Sequence, residues 1–275
     1  MVVQGMKSSS NIFGVDFTGG ASITYKFEEK VDVDVVRSAL GKAGIKDANI
    51  QYQTELEKGG DSFLLIKASN IIVAGEKTSV AVDNCLTENF ASAGFVVAQV
   101  DEVGPQIGKE LKGRALWAIV MALLGIVIYI SFRFELGFAV GAIVALTHDV
   151  LITVGIYTLF GRQLSLPIIA ALLTIVGYSV NDTIVVFDRI REDLKLKRNM
   201  SFKDICNLSI NQTLSRTILT SVTTLITVVM LLIFGGGAIF DFALALCIGI
   251  LVGTYSSIFV ASPILIDWHA RMKRK

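Results

Sequence analysis

The strongest constraint on this chain is a set of five long apolar segments, near residues 115–132, 136–160, 164–189, 214–234 and 239–266. A bilayer core needs about 20 residues of helix at a rise of ~1.5 Å each, and all five approach or exceed that length. They predict a polytopic helical membrane region over residues 114–275, preceded over residues 1–113 by a stretch with the composition of a soluble domain. Hydrophobic residues make up 53% of the whole chain, too many for an ordinary soluble domain.

Charge is unevenly placed around the apolar segments. Arg133 lies in SFRFE after the first segment, and Arg189, Arg191, Lys195, Lys197, Arg198 and Lys203 follow the third. The C-terminus is basic too, in HARMKRK, whereas the alternate joints GRQLS and GGGAI carry one arginine and none. The positive-inside rule puts the basic joints and the C-terminus in the cytoplasm, which makes residues 1–113 extracytoplasmic. A domain carried across in that position needs a preceding helix or signal. Met1–Asn11 is short, polar and without an apolar core. The expectation is a truncated chain, or a piece of a longer one, without a first transmembrane helix.

Other classes find little support. A net charge of +1 gives no case for nucleic acid. The three cysteines, Cys85, Cys206 and Cys247, have no CxxC spacing and no nearby histidines, so they read as packing residues rather than as a metal site or a disulfide.

Residues 1–113 read as alternating strands and helices. GASITYKF has strand alternation, and DVDVVRSALGKAG has helical spacing and ends on Gly44. ANIQYQT and SFLLIKA are strands, with a turn between them at Gly59–Gly60. EKTSVAVDNCLTENF is a second amphipathic helix stopped near Gly94, and FVVAQVDEV is the last strand. The order β-α-β-β-α-β is the ferredoxin-like, α+β arrangement. Fold alone implies no chemistry. No nucleophile–base constellation or P-loop accompanies it, so the domain is expected to bind or move rather than catalyse.

Within the apolar segments the polar residues are informative. Asp182, in GYSVNDTIVVFDRIRE, lies about two turns, roughly 10 Å, before Arg189 and therefore inside the apolar layer. A charge at mid-helix costs about 2.5–3.5 kcal/mol and usually faces a bundle interior or a wet cavity. Tyr178 and Ser179 share roughly its face, one turn earlier, and Arg189 on that face reads as an interfacial, snorkelling residue. On the next segment Arg216 begins a stripe continued by Thr220, Thr223, Thr224 and Thr227. If the two helices are neighbours, Arg216 and Asp182 enter from the same side at similar depth and are expected to pair. The alternatives are a plain interfacial arginine and threonines that bond back to their own helix.

His148 and Asp149 interrupt the second segment, with Thr153 and Tyr157 continuing the Asp149 face. Adjacent residues are about 100° apart, so the two are expected to point differently, one orienting a neighbour and one facing a cavity. A structural polar knot and a transport role both fit. Asp188 and Asp193 look like further carboxylates paired with Asp182, but they lie among basic residues and read as a solvated helix end. Gly137, Gly141 and Ala145, and Gly249, Gly253 and Ser257, favour close helix contacts of the kind found in any bundle. A carboxylate, an imidazole, an arginine and a hydroxyl stripe suit a proton path, since burial and a neighbouring arginine act on a carboxylate in opposite senses. One charge crossing the membrane yields about 2.3 kcal/mol per 100 mV, enough to drive a conformational change.

Six stretches, GVDFTGG, GPQIGKEL, HDVLIT, GYSVNDTIVVFDRIRE, LSRTILTSVTTL and GILVGTYSSIFVASPIL, together resemble the SecF family, one half of the protein-export complex SecDF. The resemblance covers nearly the whole chain in order. Family members carry six transmembrane helices, the first preceding GVDFTGG, against five here. The resemblance implies a proton-motive-force-driven accessory of the Sec translocon, related to the resistance-nodulation-division transporters, in the inner (plasma) membrane. Its partners would be a SecD-like subunit or fused SecD half, the translocon channel, translocating preprotein and the lipid bilayer. No cofactor is implied beyond the proton gradient, and no enzymatic activity. The aspartate of the family's NDT motif maps to Asp182 beside Asn181, the arginine of its SRT motif to Arg216, and its HD pair to His148 and Asp149. Tyr178, Asn181, Thr220 and Thr224 would line the path. Two competing readings are a proton-coupled exporter of small molecules or lipids, and a non-transporting scaffold.

Overall fold

A computed structural model describes residues 12–45, 48–54, 62–69 and 77–272. The chain divides into two compact units. The first comprises residues through Trp117 together with Thr158–Pro167 and Ile233–Phe240, and the second Ala118–Tyr157, Ile168–Leu232 and Asp241–Lys275. The joints GRQLS and GGGAI thus belong with the N-terminal domain.

In the first unit a short helix α1 (Val15–Thr18) precedes β1 (Gly20–Lys26), α2 (Val33–Lys42), β2 (Asn49–Thr54), β3 (Ser62–Ser69), α3 (Thr78–Asn89) and β4 (Val96–Val103). The strands form one antiparallel sheet in the order β2-β3-β1-β4, the split arrangement of a ferredoxin-like domain. Its core follows from strand alternation and helical spacing. Ala21, Ile23 and Tyr25 on β1 and Leu64, Ile66 and Ala68 on β3 turn to the face covered by Val36 and Leu40 of α2 and Val82, Cys85 and Leu86 of α3. Asp32 caps α2 by accepting from the Asp34 amide at 2.7 Å, and Gly44 follows it with φ 85°. The expected turn at Gly59–Gly60 lies outside the described residues.

GVDFTGG folds against the segment that starts the third apolar helix. The Gly14 amide donates to the Leu164 carbonyl at 2.7 Å, and the Leu164 amide to that of Ile12 at 2.8 Å. Asp16 accepts from the Leu166 amide at 2.8 Å, which places a carboxylate at a helix N-terminus where backbone donors are otherwise unpaired. Gly19, at φ 78°, passes so close to Pro105 that a Cβ would lie 2.8 Å from the proline Cα. Two of the six stretches, GVDFTGG and GPQIGKEL, therefore interlock through glycine.

Among the described residues, five helical spans are long and apolar enough to cross a membrane. They are α4 (Pro105–Arg133), α5 (Leu136–Leu159), α6 (Leu166–Leu196), α7 (Phe202–Phe234) and a last span, Ile239–Met272. The last is made of α8 (Gly236–Ser256), a π-helical turn at Ser257–Ala261 and α9 (Ser262–Met272). Several helices extend past the apolar limits read from sequence. α4 begins at Pro105 rather than 115, α6 continues to Leu196 rather than 189, and α7 begins at Phe202 rather than 214. Composition registers the apolar layer, whereas helix propensity and charged i,i+4 pairs such as Glu110–Arg114 carry helices into water.

Of the five spans, α5, α6 and the last are the most buried, and α4 and α7 the least. Gly249 of α8 lies where a Cβ would meet Ile175 at 2.3 Å, and Gly253 where it would meet the Ser179 Cβ at 3.1 Å. Gly141 of α5 faces the Ala261 carbonyl in the same way, at 3.0 Å. Phe134, Phe138 and Phe187 form an aromatic cluster with ring centroids 5.2–6.3 Å apart. α4 and α7 instead expose apolar side chains such as Leu124, Ile128, Leu219 and Ile226, as suits lipid or another apolar helix.

Candidate functional site

Among the described residues, four carboxyl groups on the membrane-spanning helices are buried, Asp149, Asp182, Asp193 and Asp241, and the surroundings of the first two differ most usefully. Asp149 of α5 is fully buried. Its Oδ2 accepts from Ser179 Oγ of α6 at 2.5 Å and from Ser256 Oγ of α8 at 2.8 Å, so one carboxyl group ties three helices together. The close approach of α6 and α8 at Gly253 brings both serines within reach. Its other oxygen, Oδ1, lies 3.0 Å from His148 Nδ1. His148 and Asp149 do face differently, the imidazole part-exposed and the carboxyl fully buried, and the two are nonetheless bonded. Their backbone positions do diverge, but the imidazole swings back to bond its neighbour's carboxyl. The ring also lines an open groove with Ile152, Leu251, Val252 and Tyr255. Below Asp149 on the same face, the buried hydroxyl of Thr153 has no hydrogen-bond partner among the described residues.

Asp182 of α6 is also buried, at 3% exposure, but is poorly satisfied. Its hydrogen-bond contact is Ser221 Oγ of α7 at 3.5 Å, the far limit of such a bond. Ser221 is in turn 2.7 Å from Thr254 Oγ1 of α8. The expected pairing with Arg216 does not form among the described residues. Arg216 is exposed on α7, near enough for its charge to be felt at Asp182 but not in contact. The reason is helical phase: Thr217 and Ser221 occupy the buried face of α7, and Arg216, about 100° round the helix from Thr217, points away from it. Thr183 and Thr217 add two more buried hydroxyls without partners among the described residues. Buried polar groups are normally bonded, so these hydroxyls and the weakly bonded Asp182 are exceptions.

The remaining polar residues distribute as follows. Tyr178 Oη donates to Thr224 Oγ1 at 3.4 Å, a second link from α6 to α7. Asn181 is exposed. Thr220 bonds back to the Arg216 and Thr217 carbonyls, and Thr223, Thr224 and Thr227 also bond back within α7. The threonine stripe is thus largely self-satisfied, as the alternative reading of it allowed.

Asp193 corrects a second expectation. Instead of a solvated helix end it is fully buried, accepting from Ser209 Oγ of α7 at 2.9 Å and pairing with Lys197 at 3.1 Å and Arg189 at 3.5 Å. Arg189 also bonds Gln212 of α7 and Glu192, so it latches α6 to α7 rather than snorkelling. The helix continues past the apolar layer, and the start of α7 packs against that continuation. Asp188 does remain exposed, bridging Arg133 and Arg191.

The sequence reading missed Ser221, Thr254 and Ser256 as members of the polar network. A signal was present: TYSS places three hydroxyl residues and a phenol in the middle of an apolar run. Small-residue spacing singles out only Ser257 there, as a packing residue.

Residues 83–271 match the family described as protein export membrane protein SecD/SecF, C-terminal. The chain is 47% identical over 266 residues to the protein translocase subunit SecF of Desulfurispirillum indicum, covering 94% of this chain and 82% of that one. It is 42% identical over 263 residues to the protein translocase subunit SecDF of Thermus thermophilus, covering 95% of this chain and 35% of the relative. The crystal structure of SecDF from that organism, described as a translocon-associated membrane protein, superposes with a TM-score of 0.80 at 42% identity over 94% of this chain and 34% of that one. Motifs, fold and relatives agree, and the chain belongs to the SecF family.

Proposed function

We propose that this chain is the SecF part of a protein translocase, a multi-pass membrane protein that promotes preprotein movement across the inner membrane using the proton-motive force. The SecF and SecDF relatives support the translocase reading over a small-molecule or lipid exporter. A relative in which the matching segment is about one third of a SecDF chain supports a SecD-like partner. The Sec translocon and preprotein follow as further partners, with the N-terminal domain extracytoplasmic and the C-terminus cytoplasmic. The function is conformational work rather than chemistry on a substrate.

The observation that carries the proton role is the contrast at Asp182. A carboxyl group is placed in an apolar bundle with, among the described residues, a single long hydrogen bond and a nearby, uncontacted arginine. A buried ionised carboxylate without partners is expensive, so such a group gains or loses a proton as its surroundings change. Asp182 takes up and releases the proton, Arg216 supplies positive charge when the helices shift, and Asp149 with His148 anchors the bundle around them.

The test is Asp182→Asn in the full chain, assembled with its SecD-like partner and the translocon in proteoliposomes. Export stimulation by an imposed proton gradient is expected to disappear while assembly persists. Wild-type stimulation by the variant would overturn the proton role. A scaffold would tolerate neutral residues at both Asp182 and Arg216.

A further inference from the structure

The hydroxyls between Asp182 and α8 are arranged so that their hydrogens can be counted. Thr254 Oγ1 lies 2.7 Å from the Ile250 carbonyl of its own helix and 2.7 Å from Ser221 Oγ. A hydroxyl has one hydrogen to give. If Thr254 donates to Ile250, Ser221 must donate to Thr254, and its hydrogen is then not available to Asp182. The distances fit that order, since Ser221 is 2.7 Å from Thr254 but 3.5 Å from Asp182.

We propose that Ser221 and Thr254 are positioning residues forming a two-hydroxyl relay that passes the protonation state of Asp182 to the backbone of α8. This rests on Asp182 being the site of proton uptake. With a proton on Asp182 the carboxyl donates to Ser221, Ser221 to Thr254, and Thr254 to the Ile250 carbonyl. When Asp182 is ionised it accepts instead. Ser221 turns its hydrogen to the carboxylate, Thr254 turns its own to Ser221, and the Ile250 carbonyl loses its side-chain donor. Two hydroxyls rotate, and neither gains or loses a hydrogen.

The end of the relay lies where α8 can respond. A hydroxyl bonded to the carbonyl four residues back bends a helix. Ile250 lies about two turns before the π-helical turn at Ser257–Ala261, a local irregularity of the kind found at moving or functional positions. Ser256 holds Asp149 from the same stretch of α8. A change of bend there is therefore felt at both Asp149 and Asp182.

The charged and titratable groups around the relay come from several helices. Arg216 of α7 acts on Asp182 through space. Tyr178 of α6 reaches Thr224 of α7. Asp149 and His148 of α5 are tied to α6 through Ser179. From α8, Tyr255 stands beside His148, while Thr254 and Ser256 supply neutral hydroxyls.

The test measures gradient-driven translocation over a pH series, with the full chain assembled with its partner and the translocon. Ser221→Ala and Thr254→Val are each expected to lower stimulation roughly fivefold, the effect of one net hydrogen bond, and to flatten its dependence on pH. Ser221→Thr and Thr254→Ser keep the hydroxyls and are expected to restore the wild-type profile. The double variant should be no worse than either single one, because both break the same chain. A wild-type pH profile in Ser221→Ala and Thr254→Val, a Thr254→Ser variant as defective as Thr254→Val, losses that add, or a Ser221→Ala chain that does not assemble would each overturn the relay. Asp182→Asn separates the two claims. If it abolishes stimulation while the hydroxyl variants behave as wild type, the relay fails and the proton site stands. If it has no effect, the proton site itself fails.

Discussion

Asp149 and Asp182 lie in the same bundle and are nearly equally buried, yet they are built for opposite purposes. Asp149 receives two serine hydroxyls at 2.5 and 2.8 Å from two other helices and faces an imidazole at 3.0 Å. Asp182 has one hydroxyl at 3.5 Å, with two unpartnered threonine hydroxyls, Thr183 and Thr217, on the buried faces of α6 and α7. Burial alone therefore does not identify the working carboxyl group. The proposed division of roles rests instead on satisfaction: a fully bonded group holds helices in place, and an under-bonded one has a reason to change its proton count.

The comparison can be broken first at Asp149. Asp149→Leu should cost about 2–4 kcal/mol, because it strands the Ser179 and Ser256 donors in an apolar interior. Thermal unfolding of the purified chain would show this as a marked fall in midpoint, whereas Asp182→Asn should scarcely move it. Reversal of that order would contradict the division of roles. Next comes the close approach that brings Ser179 and Ser256 to Asp149. Gly249→Ala puts a methyl 2.3 Å from the branched Ile175 side chain and should cost about 1–3 kcal/mol by overpacking. Gly155→Ala, where a Cβ meets nothing within 4 Å, serves as the control in the same unfolding measurement.

Smaller effects sharpen the contrast. Ser179→Ala and Ser256→Ala each remove one short bond to Asp149 and should cost about 1–2 kcal/mol. Ser221→Ala removes a long contact to Asp182 and the 2.7 Å bond to Thr254, whose own hydroxyl keeps the Ile250 carbonyl, so it should cost less, about 0.5–1 kcal/mol in the same assay, although its expected effect on function is larger. Equal losses for all three serines would mean that the two carboxyl groups are held alike.

How much of this was legible in the sequence follows from what sequence encodes. Apolar length marked the five spans, and strand alternation with helical spacing marked the order of the N-terminal sheet. The cost of charge in lipid drew attention to Asp149 and Asp182. The pairings between helices were not legible, because they depend on the rotation of each helix and on how closely two helices approach. Arg216 follows Asp182 at a suitable depth, yet Ser221 is the residue α7 turns inward. Asp193 lay among basic residues and read as solvated, but the unforeseen start of α7 at Phe202 covers it. Ser256 meets Asp149 across 107 residues of chain, through helix packing at Gly253 that no local pattern records.

The central claim is that Asp182, and not Asp149, changes its proton during the cycle. Infrared difference spectra of the full chain with its partner, recorded between acidic and alkaline pH, report protonated carboxyl groups directly through their C=O stretch. The account predicts a pH-dependent carboxyl band that vanishes in Asp182→Asn and persists in Asp149→Asn. A band that survives in Asp182→Asn and vanishes in Asp149→Asn would contradict it.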